Sequence, residues 1–197
     1  MTTTLYLARH GETQWNKVQR FQGQLDSELT SIGIQQSKQL ALTLLKKELD
    51  VIISSSLGRA VSTAAICQQE LHIPSHQNVG LNERNLGQWQ GLYISDLLSD
   101  TIYNEVLHEL TNIAPEDGES AINCAQRIYK TIEEIAQNFP NKHVLIICHG
   151  EALRCFLSYL GQTLTGNAYD LFSNGSLCQL TYNRDIGFTQ FEQKADA

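Results

Sequence analysis

Cationic side chains are scarce in this sequence: 14 Lys and Arg residues stand against 21 Asp and Glu residues, a formal net charge of -7. A surface of this sign disfavours general binding to nucleic acids or anionic membranes, so neither is expected as a partner. Any site for an anion must be local. Long apolar runs are also missing: none approaches the ~18 residues of a membrane-spanning helix, and the N-terminus lacks the features of a secretory signal.

Paired cysteine motifs are absent too. The five cysteines have no CxxC spacing, and most lie in apolar periodic segments, which is typical of reduced core residues. We therefore expect a reducing, cytoplasmic location. The 197 residues are enough for one domain, spanning 1–197, that buries roughly 70% of the surface exposed by its unfolded chain. The sequence does not predict an oligomeric state.

Short apolar runs alternate with segments of helical periodicity. The runs predict strands at residues 5–8, 51–53, 76–81 and 144–148, and a closing hairpin at 177–182 and 188–191. Helices are predicted at 31–49, 61–71, 94–110, 120–138 and 151–160. This order predicts an α/β fold: a three-layer α/β/α sandwich with a mostly parallel central sheet.

Polar residues follow four of the predicted strands. The first ends in Arg9 and His10, the second leads to Arg59, the third leads to Glu83 and the fourth ends in His149. Each residue taken alone has an ordinary surface or packing explanation. Ligands bind beyond the carboxyl ends of parallel strands, however, so the convergence predicts a site. The other histidines lack this placement and are expected to serve surface or packing roles.

The predicted set suits phosphoryl transfer. Arg9 and Arg59 offer planar forks of donors that match phosphate oxygens, and helix starts near Arg59 and His149 would add N-H donors. A neutral imidazole can attack phosphorus, so either His10 or His149 could be the nucleophile. Glu83, with a pKa raised by burial, could protonate the leaving oxygen.

A metal site is the competing use of two histidines and nearby carboxylates. The repeat of residues 10–12 in residues 149–151, both His-Gly-Glu, favours this alternative. Two arginines in the same pocket would repel a divalent cation, and the sequence has no HExxH motif or cysteine cluster. We therefore expect neither a metal nor a cofactor.

The segment LARHGETQWN at residues 7–16 resembles the signature of the histidine phosphatase superfamily, also called the phosphoglycerate mutase-like family. The resemblance continues in order through residues 20–36, 54–64, 81–91, 117–120 and 144–154. It implies a phosphoglycerate mutase-like fold in which His10 is the phosphorylated nucleophile. It further implies that Arg9, Arg59 and His149 bind the phosphoryl oxygens. Glu83 would donate a proton to the leaving group and then act as the base for water.

Further binding residues follow from the same resemblance. Asn16, Gln22 and Gly23 match positions that line the phosphate and substrate pocket, although Asn16 and Gln22 could equally be loop-stabilising amides. Arg84 is a candidate cation for the substrate, and Gly150 is a candidate backbone donor. The small-molecule partner is therefore expected to be phosphorylated.

Three nearby residues need a separate explanation. Cys148 stands where family members commonly have Ser, which would place a thiol beside the pocket. Glu151 adds a negative charge close to the anion site, at the first turn of a helix. Ser120, in a family motif near the pocket, is expected to cap the following helix instead.

The family contains both phosphatases and cofactor-dependent mutases. A mutase must hold a substrate with a second negative group, which requires extra cations over the pocket mouth. Between Arg84 and Arg127 this chain has seven acidic residues and no Lys or Arg, and it lacks the long insert of typical cofactor-dependent mutases. We expect a phosphatase for a small phosphomonoester with a neutral or apolar remainder, with Trp89, Leu92 and Tyr93 as candidate wall residues. The alternatives are a cofactor-dependent phosphoglycerate mutase and a non-catalytic phosphate-binding module.

Overall fold

A single six-stranded sheet forms the centre of the computed structural model, which describes residues 1–162 and 168–193. The strands are β1 (Thr2–Arg9), β2 (Val51–Ser54), β3 (Ser75–Gln77), β4 (His143–Cys148), β5 (Leu177–Asn183) and β6 (Gly187–Gln193). Their order is β3-β2-β4-β1-β5-β6. The first four in this order are mutually parallel, whereas β5 and β6 add an antiparallel hairpin beside β1. The predicted mostly parallel sheet and its closing hairpin are confirmed.

Helices cover both faces of this sheet. They are α1 (Gln14–Lys17), α2 (Ser31–Leu44), α3 (Gly58–Leu71), α4 (Ile94–Leu97), α5 (Tyr103–His108), α6 (Ala121–Asn138), α7 (Gly150–Tyr159) and α8 (Ala168–Leu171). Within the described ranges, none of these helices combines the length and apolar character needed to cross a membrane.

The alternation of side chains along β1 shows how the layers form. Leu5 and Leu7 join the apolar cluster that contains α6 and α7, whereas Tyr6 and Ala8 join the cluster that contains α2 and α3. Successive side chains of a strand point to opposite faces, so a strand that is buried on both faces is apolar at nearly every position. The three-layer α/β/α prediction is therefore confirmed.

One predicted helix is wrong in its extent. Residues 94–110 form two short helices, α4 and α5, instead of one long helix. The break lies at Asp100, whose side chain accepts the Ile102 N-H at 3.0 Å. An Asp side chain that bonds nearby backbone competes with the helical hydrogen bonds, which explains the interruption.

A third apolar cluster lies apart from the two sheet faces. We call it the cap cluster; its buried members are Phe21, Leu86, Trp89, Leu97, Val106 and Leu107. Its residues come from the loop after β1 and from the segment between β3 and α6. Because Phe21 and Leu86 also line the pocket described below, the cap cluster forms part of the wall of the site.

Candidate active site

The carboxyl ends of the parallel strands bring the predicted residues together. Arg9 ends β1 and His10 follows it, while His149 follows β4 and caps α7. Arg59 is the second residue of α3, directly after the β2 turn. Glu83 follows a 3-10 turn at Val79–Leu81. Arg9, His10, Arg59 and Glu83 line one pocket, and the ring of His149 lies 5.2 Å from that of His10 between centroids.

The ring of His10 is fixed at both nitrogens. Its Nδ1 lies 2.8 Å from the carbonyl oxygen of Gly11, which can only accept, so Nδ1 carries the proton. Its Nε2 accepts the Nε-H of Arg59 at 3.1 Å. Burial and the charges of Arg59 and Arg9 hold the pKa of His10 well below its ordinary value. The ring is therefore neutral near pH 7, with a lone pair on Nε2.

Arg59 is held rigidly behind this ring. Its guanidinium donates to Asp26 Oδ1 at 3.0 Å and to the carbonyl oxygens of Leu25 at 2.8 Å and Gly23 at 2.7 Å. Arg9 donates to the Phe172 carbonyl. Both side chains are almost fully buried, so their positive charges act in a poorly solvated pocket where they attract an anion strongly.

The carboxylate of Glu83 lies against the N-terminus of α7. Its carboxylate accepts the N-H of Arg84 at 2.8 Å, of Ala152 at 2.9 Å and of Glu151 at 3.3 Å. Burial, together with the negative charge of Glu151, raises the pKa of Glu83 and outweighs the Arg59 charge and the backbone hydrogen bonds, which lower it. The group is thus positioned by backbone donors and holds a proton to higher pH than an ordinary glutamate, as the sequence predicted.

Two glycines allow the turn after β1 to pack against α2. A Cβ at Gly11 would overlap the carbonyl oxygen of Gly33, and a Cβ at Gly33 would overlap that of Glu12. The glycine of the RHG triplet is therefore required by the close approach of two backbones. This contact places His10 over the end of the sheet.

The predicted binding residues divide into two groups. Asn16, Gln22, Gly23 and Gly150 line the pocket, whereas Arg84 does not. The Arg84 side chain is fully buried and donates to the carbonyls of Val106, Ile113 and Glu119 and to Glu151. The prediction that Arg84 contacts substrate is therefore wrong: its charge is used inside the protein. Asn16 also caps α1 together with Thr13, so it has a structural role as well.

The predicted wall residues are corrected in the same way. Trp89 is buried in the cap cluster, where it contacts Phe21 and Tyr103, and neither Leu92 nor Tyr93 lines the pocket. Leu92 and Tyr93 are exposed on the outer surface. Apolar lining comes instead from Phe21, Leu86 and Ala168.

The two departures from the family pattern have structural explanations. Cys148 faces the apolar cluster of α6 and α7, and burial raises its thiol pKa, so the expected thiol beside the pocket is not found. Glu151 does border the pocket, but it accepts hydrogen bonds from Arg154 at 2.9 and 3.0 Å and lies 3.3 Å from Arg84. Burial alone would raise the pKa of Glu151; these two guanidinium groups outweigh it and lower the pKa.

Sequence reasoning missed several supporting residues. Asp26 fixes Arg59, Asn174 donates to the carbonyl of His10 at 3.0 Å, and Ser55 and Asn82 hold His149. Asp26, Ser55 and Asn82 lie inside the segments that carry the family resemblance, which was a usable signal. Asn174 lies outside them and nothing in the pattern marks it. Among the described residues, no group of three His, Cys, Asp or Glu side chains is arranged to hold a metal ion.

Comparison with known proteins fits this geometry. The model of the histidine phosphatase superfamily (branch 1) matches residues 5–190. A metal-independent phosphoserine phosphatase of Arabidopsis thaliana is 33% identical over 181 residues, covering 87% of this chain and 73% of the relative. A probable phosphoglycerate mutase, GpmB, of Yersinia pestis is 32% identical over 158 residues, covering 79% and 74%.

Solved structures show the same likeness. A mycobacterial glucosyl-3-phosphoglycerate phosphatase, solved in complex with VO3, aligns with a TM-score of 0.84 at 28% identity, covering 98% of this chain and 99% of that one. The relatives therefore include both named phosphatases and a probable mutase. With a family model that spans nearly the whole sequence, the chain belongs to the histidine phosphatase superfamily, branch 1.

Proposed function

We propose that the protein hydrolyses a small organic phosphomonoester by way of a phosphohistidine on His10. The observation that carries this proposal is the orientation of His10: its Nδ1-H is held by Gly11 and its Nε2 lone pair lies beside Arg59. Arg9 and Glu83 line the same pocket. A nucleophile, two cations and an acid therefore meet in one small site.

The first step is in-line transfer to His10. The Nε2 lone pair gives up its hydrogen bond from Arg59 and forms a bond to phosphorus while the bond from phosphorus to the leaving oxygen breaks, and Glu83 gives its proton to that oxygen. Arg9, Arg59 and the N-H of Gly150, the first residue of α7, stabilise the negative charge on the phosphoryl oxygens. Such fixed donors in a buried site need little reorganisation during the reaction.

The second step releases phosphate. Glu83, now a carboxylate, takes a proton from water as the water oxygen attacks phosphorus, and the bond from Nε2 to phosphorus breaks. His10 returns to its neutral form and Glu83 to its protonated form. The cycle is complete without a metal or another cofactor, and we propose that none is needed.

Hydrolysis is favoured over mutase activity by the wall of the pocket. Beyond the residues assigned to phosphate and substrate binding, the described lining consists of the uncharged Phe21, Leu86 and Ala168 and of Glu151, whose charge is negative. Arg84, the nearest candidate for binding a second anionic group, is turned into the protein. A phosphoglycerate would therefore find no additional cation among the described lining residues. The substrate we propose has one phosphate and a largely neutral or apolar remainder.

The deciding experiment is a panel of monophosphates assayed for both phosphate release and isomerisation. Phosphoserine, sugar phosphates, phosphoglycerates and glucosyl-3-phosphoglycerate belong in the panel because named relatives act on two of these compounds. We expect release of inorganic phosphate, unchanged by a chelator and abolished in His10→Ala. Faster interconversion of the two monophosphoglycerates than phosphate release would establish the mutase alternative, and activity that survives loss of His10 would refute the mechanism.

The expected location rests on the cysteines. All five are free and buried, and they do not form a disulfide. We propose that the protein acts in a reducing compartment such as the cytoplasm. Fractionation of cells that express the full chain would test this.

A further inference from the structure

The second histidine of the site, His149, is fully buried, and its Nε2 lies 2.7 Å from Ser55 Oγ. Its other ring nitrogen, Nδ1, is buried and has no hydrogen-bond partner among the described residues. A buried polar atom without a partner is costly unless a ligand satisfies it. The question is which nitrogen carries the proton, because that decides what Nδ1 can bind.

A backbone N-H near His149 fixes the orientation of the Asn82 amide and hence the direction of the Ser55 hydrogen bond. The N-H of Ser56 can only donate, and it lies 3.0 Å from the Asn82 side chain, so the amide atom facing it must be the oxygen Oδ1. Ser55 Oγ lies 2.9 Å from the same Oδ1. Since this oxygen carries no proton, the Ser55 hydroxyl must donate to it. The single proton of Ser55 is thereby committed to Asn82.

The direction of the Ser55 hydrogen bond determines the tautomer of His149. With its proton committed, Ser55 Oγ can only accept from His149, so Nε2 of His149 carries a proton. The neutral ring then has a bare lone pair on Nδ1. This is the opposite tautomer to that of His10, whose Nδ1 is protonated. A bare Nδ1 cannot donate to a phosphoryl oxygen.

We propose that Asn82 and Ser55 are positioning residues that hold His149 as its Nε2-H tautomer, so that His149 binds a phosphoryl group only by taking up a proton on Nδ1. The inference rests on the proposed function for its ligand. The proton comes from solvent, and the resulting imidazolium donates to the bound anion while Nε2 continues to donate to Ser55.

The charges around His149 support uptake on binding. Burial and the positive charges of Arg59, Arg9 and Arg127 lower its pKa well below the ordinary value, so the ring is neutral before the ligand arrives. The carboxylates at the same helix start are Glu83, bonded to backbone N-H groups, and Glu151, bonded to Arg154. A phosphoryl dianion is therefore the new negative charge that can stabilise the imidazolium.

The test is a two-bond proton-nitrogen NMR spectrum of the full chain labelled at histidine, with inorganic phosphate as the probe at about pH 8, where phosphate is largely the dianion. A His149→Gln variant identifies the signals of His149. We expect the Nε2-H tautomer in the free protein and signals of a doubly protonated ring with phosphate bound. An Nδ1-H tautomer in the free protein, or a neutral His149 with phosphate bound, would overturn the proposal.

Two matched variants test whether Asn82, acting through Ser55, determines the tautomer of His149. In Asn82→Ala the Ser55 hydroxyl is free to donate to Nε2, so His149 should shift towards the Nδ1-H tautomer; Ser56→Ala leaves the backbone donor in place and should keep the original tautomer. Calorimetry in two buffers of different ionisation enthalpy, in a Glu83→Gln background, should give uptake of about one proton per phosphate, and close to none after Asn82→Ala. Equal proton uptake in the two proteins would contradict the proposed role of Asn82 and Ser55. If the tautomers are as predicted but no phosphomonoester is hydrolysed, only the proposed function fails.

Discussion

The pKa values of His10 and Glu83 are shifted in opposite directions, and this gives the first prediction. His10 must be neutral and Glu83 protonated for the first step, so activity should fall as pH decreases through the lowered pKa of His10 and as pH increases through the raised pKa of Glu83. We expect a bell-shaped profile of kcat/KM with its maximum on the acid side of neutrality. A rate that rises steadily to pH 9 would contradict the assignment of Glu83.

Replacing Glu83 sharpens this test. Glu83→Gln keeps the shape of the side chain but cannot donate a proton, so hydrolysis of an alkyl phosphate should slow by roughly a hundredfold or more and lose its alkaline limb. With p-nitrophenyl phosphate, whose leaving group needs little protonation, the loss in the first step should be much smaller. Pre-steady-state release of p-nitrophenol measures that step alone. Equal losses for the two leaving groups would argue against general acid catalysis by Glu83.

The planar guanidinium group of Arg59 provides a second prediction for a single residue. Arg59→Lys retains the charge but loses the geometry that links Gly23, Asp26 and His10, so kcat/KM should fall by about a hundredfold. Asp26→Asn keeps an acceptor for Arg59 and should cost much less, since Asp26 is partly exposed. Steady-state kinetics of the two variants compare them directly. A loss in Asp26→Asn as large as that in Arg59→Lys would show that the ion pair, not the fork, matters most.

At the scale of elements, a buried ion network joins the start of α7 to the loop that carries Glu83. Arg84 and Arg154 both bond Glu151, and all three side chains are nearly fully buried. Removing one partner of such a network leaves uncompensated buried charge, so Glu151→Gln should lower the free energy of unfolding by about 3 kcal/mol. Urea unfolding measures this. Lys130→Gln, which breaks an exposed pair with Glu134, is the control and should change stability by less than about 1 kcal/mol.

The elements also show how far the sequence could predict the structure. The strands that deliver Arg9 and His149 are buried on both faces, so their apolar runs mark them clearly, and the residue after each run is forced to the edge of the sheet. The pocket wall is different. Phe21, Leu86 and Ala168 come from three distant segments and meet only through tertiary packing, so no local pattern identifies them.

Arg84 illustrates the same limit for a single charge. The sequence shows a cation next to Glu83, and only the fold shows that its partners are Glu151 and the carbonyl groups of Val106, Ile113 and Glu119. The prediction that Trp89 lines the pocket is wrong for a related reason, because an aromatic residue near a motif can line a pocket or pack in a core. Periodicity does not separate these two uses at Trp89, because this residue lies in a 3-10 turn of only three residues, Gly87–Trp89.

At the scale of the whole molecule, we propose that residues 1–197 form a single catalytic domain. One continuous sheet links β3 to β6, and residues from both ends of the chain meet at His10: Asn174 bonds its carbonyl, and Gly175 bonds that of Arg9. Because the site is assembled from segments this far apart, the site and the fold should be lost together on unfolding. The ionisation of site residues should then affect the stability of the whole protein.

The final prediction concerns that coupling. Folding lowers the pKa of His10 and of His149, so below about pH 6.5 the unfolded chain binds more protons than the folded one, and the free energy of unfolding falls as pH decreases. The slope is at most about 1.4 kcal/mol per pH unit for each histidine. Glu83 acts oppositely: with its pKa raised by folding, its contribution is present below about pH 4.5 and is lost as pH rises through the raised pKa.

On acidification from pH 7.5 to pH 5.5, His10 and His149 lower the free energy of unfolding and Glu83 raises it. Because two groups act against one, we expect a net loss of stability. Urea unfolding at these two values measures it, and a His10→Gln, His149→Gln double variant should show a clearly smaller difference because its site no longer resists protonation. The other four histidines are the same in both proteins and cancel. Saturating phosphate should raise the stability of the native protein by mass action and leave the double variant nearly unchanged. A pH dependence equally steep in both proteins would mean that the buried histidines of the site do not control acid stability.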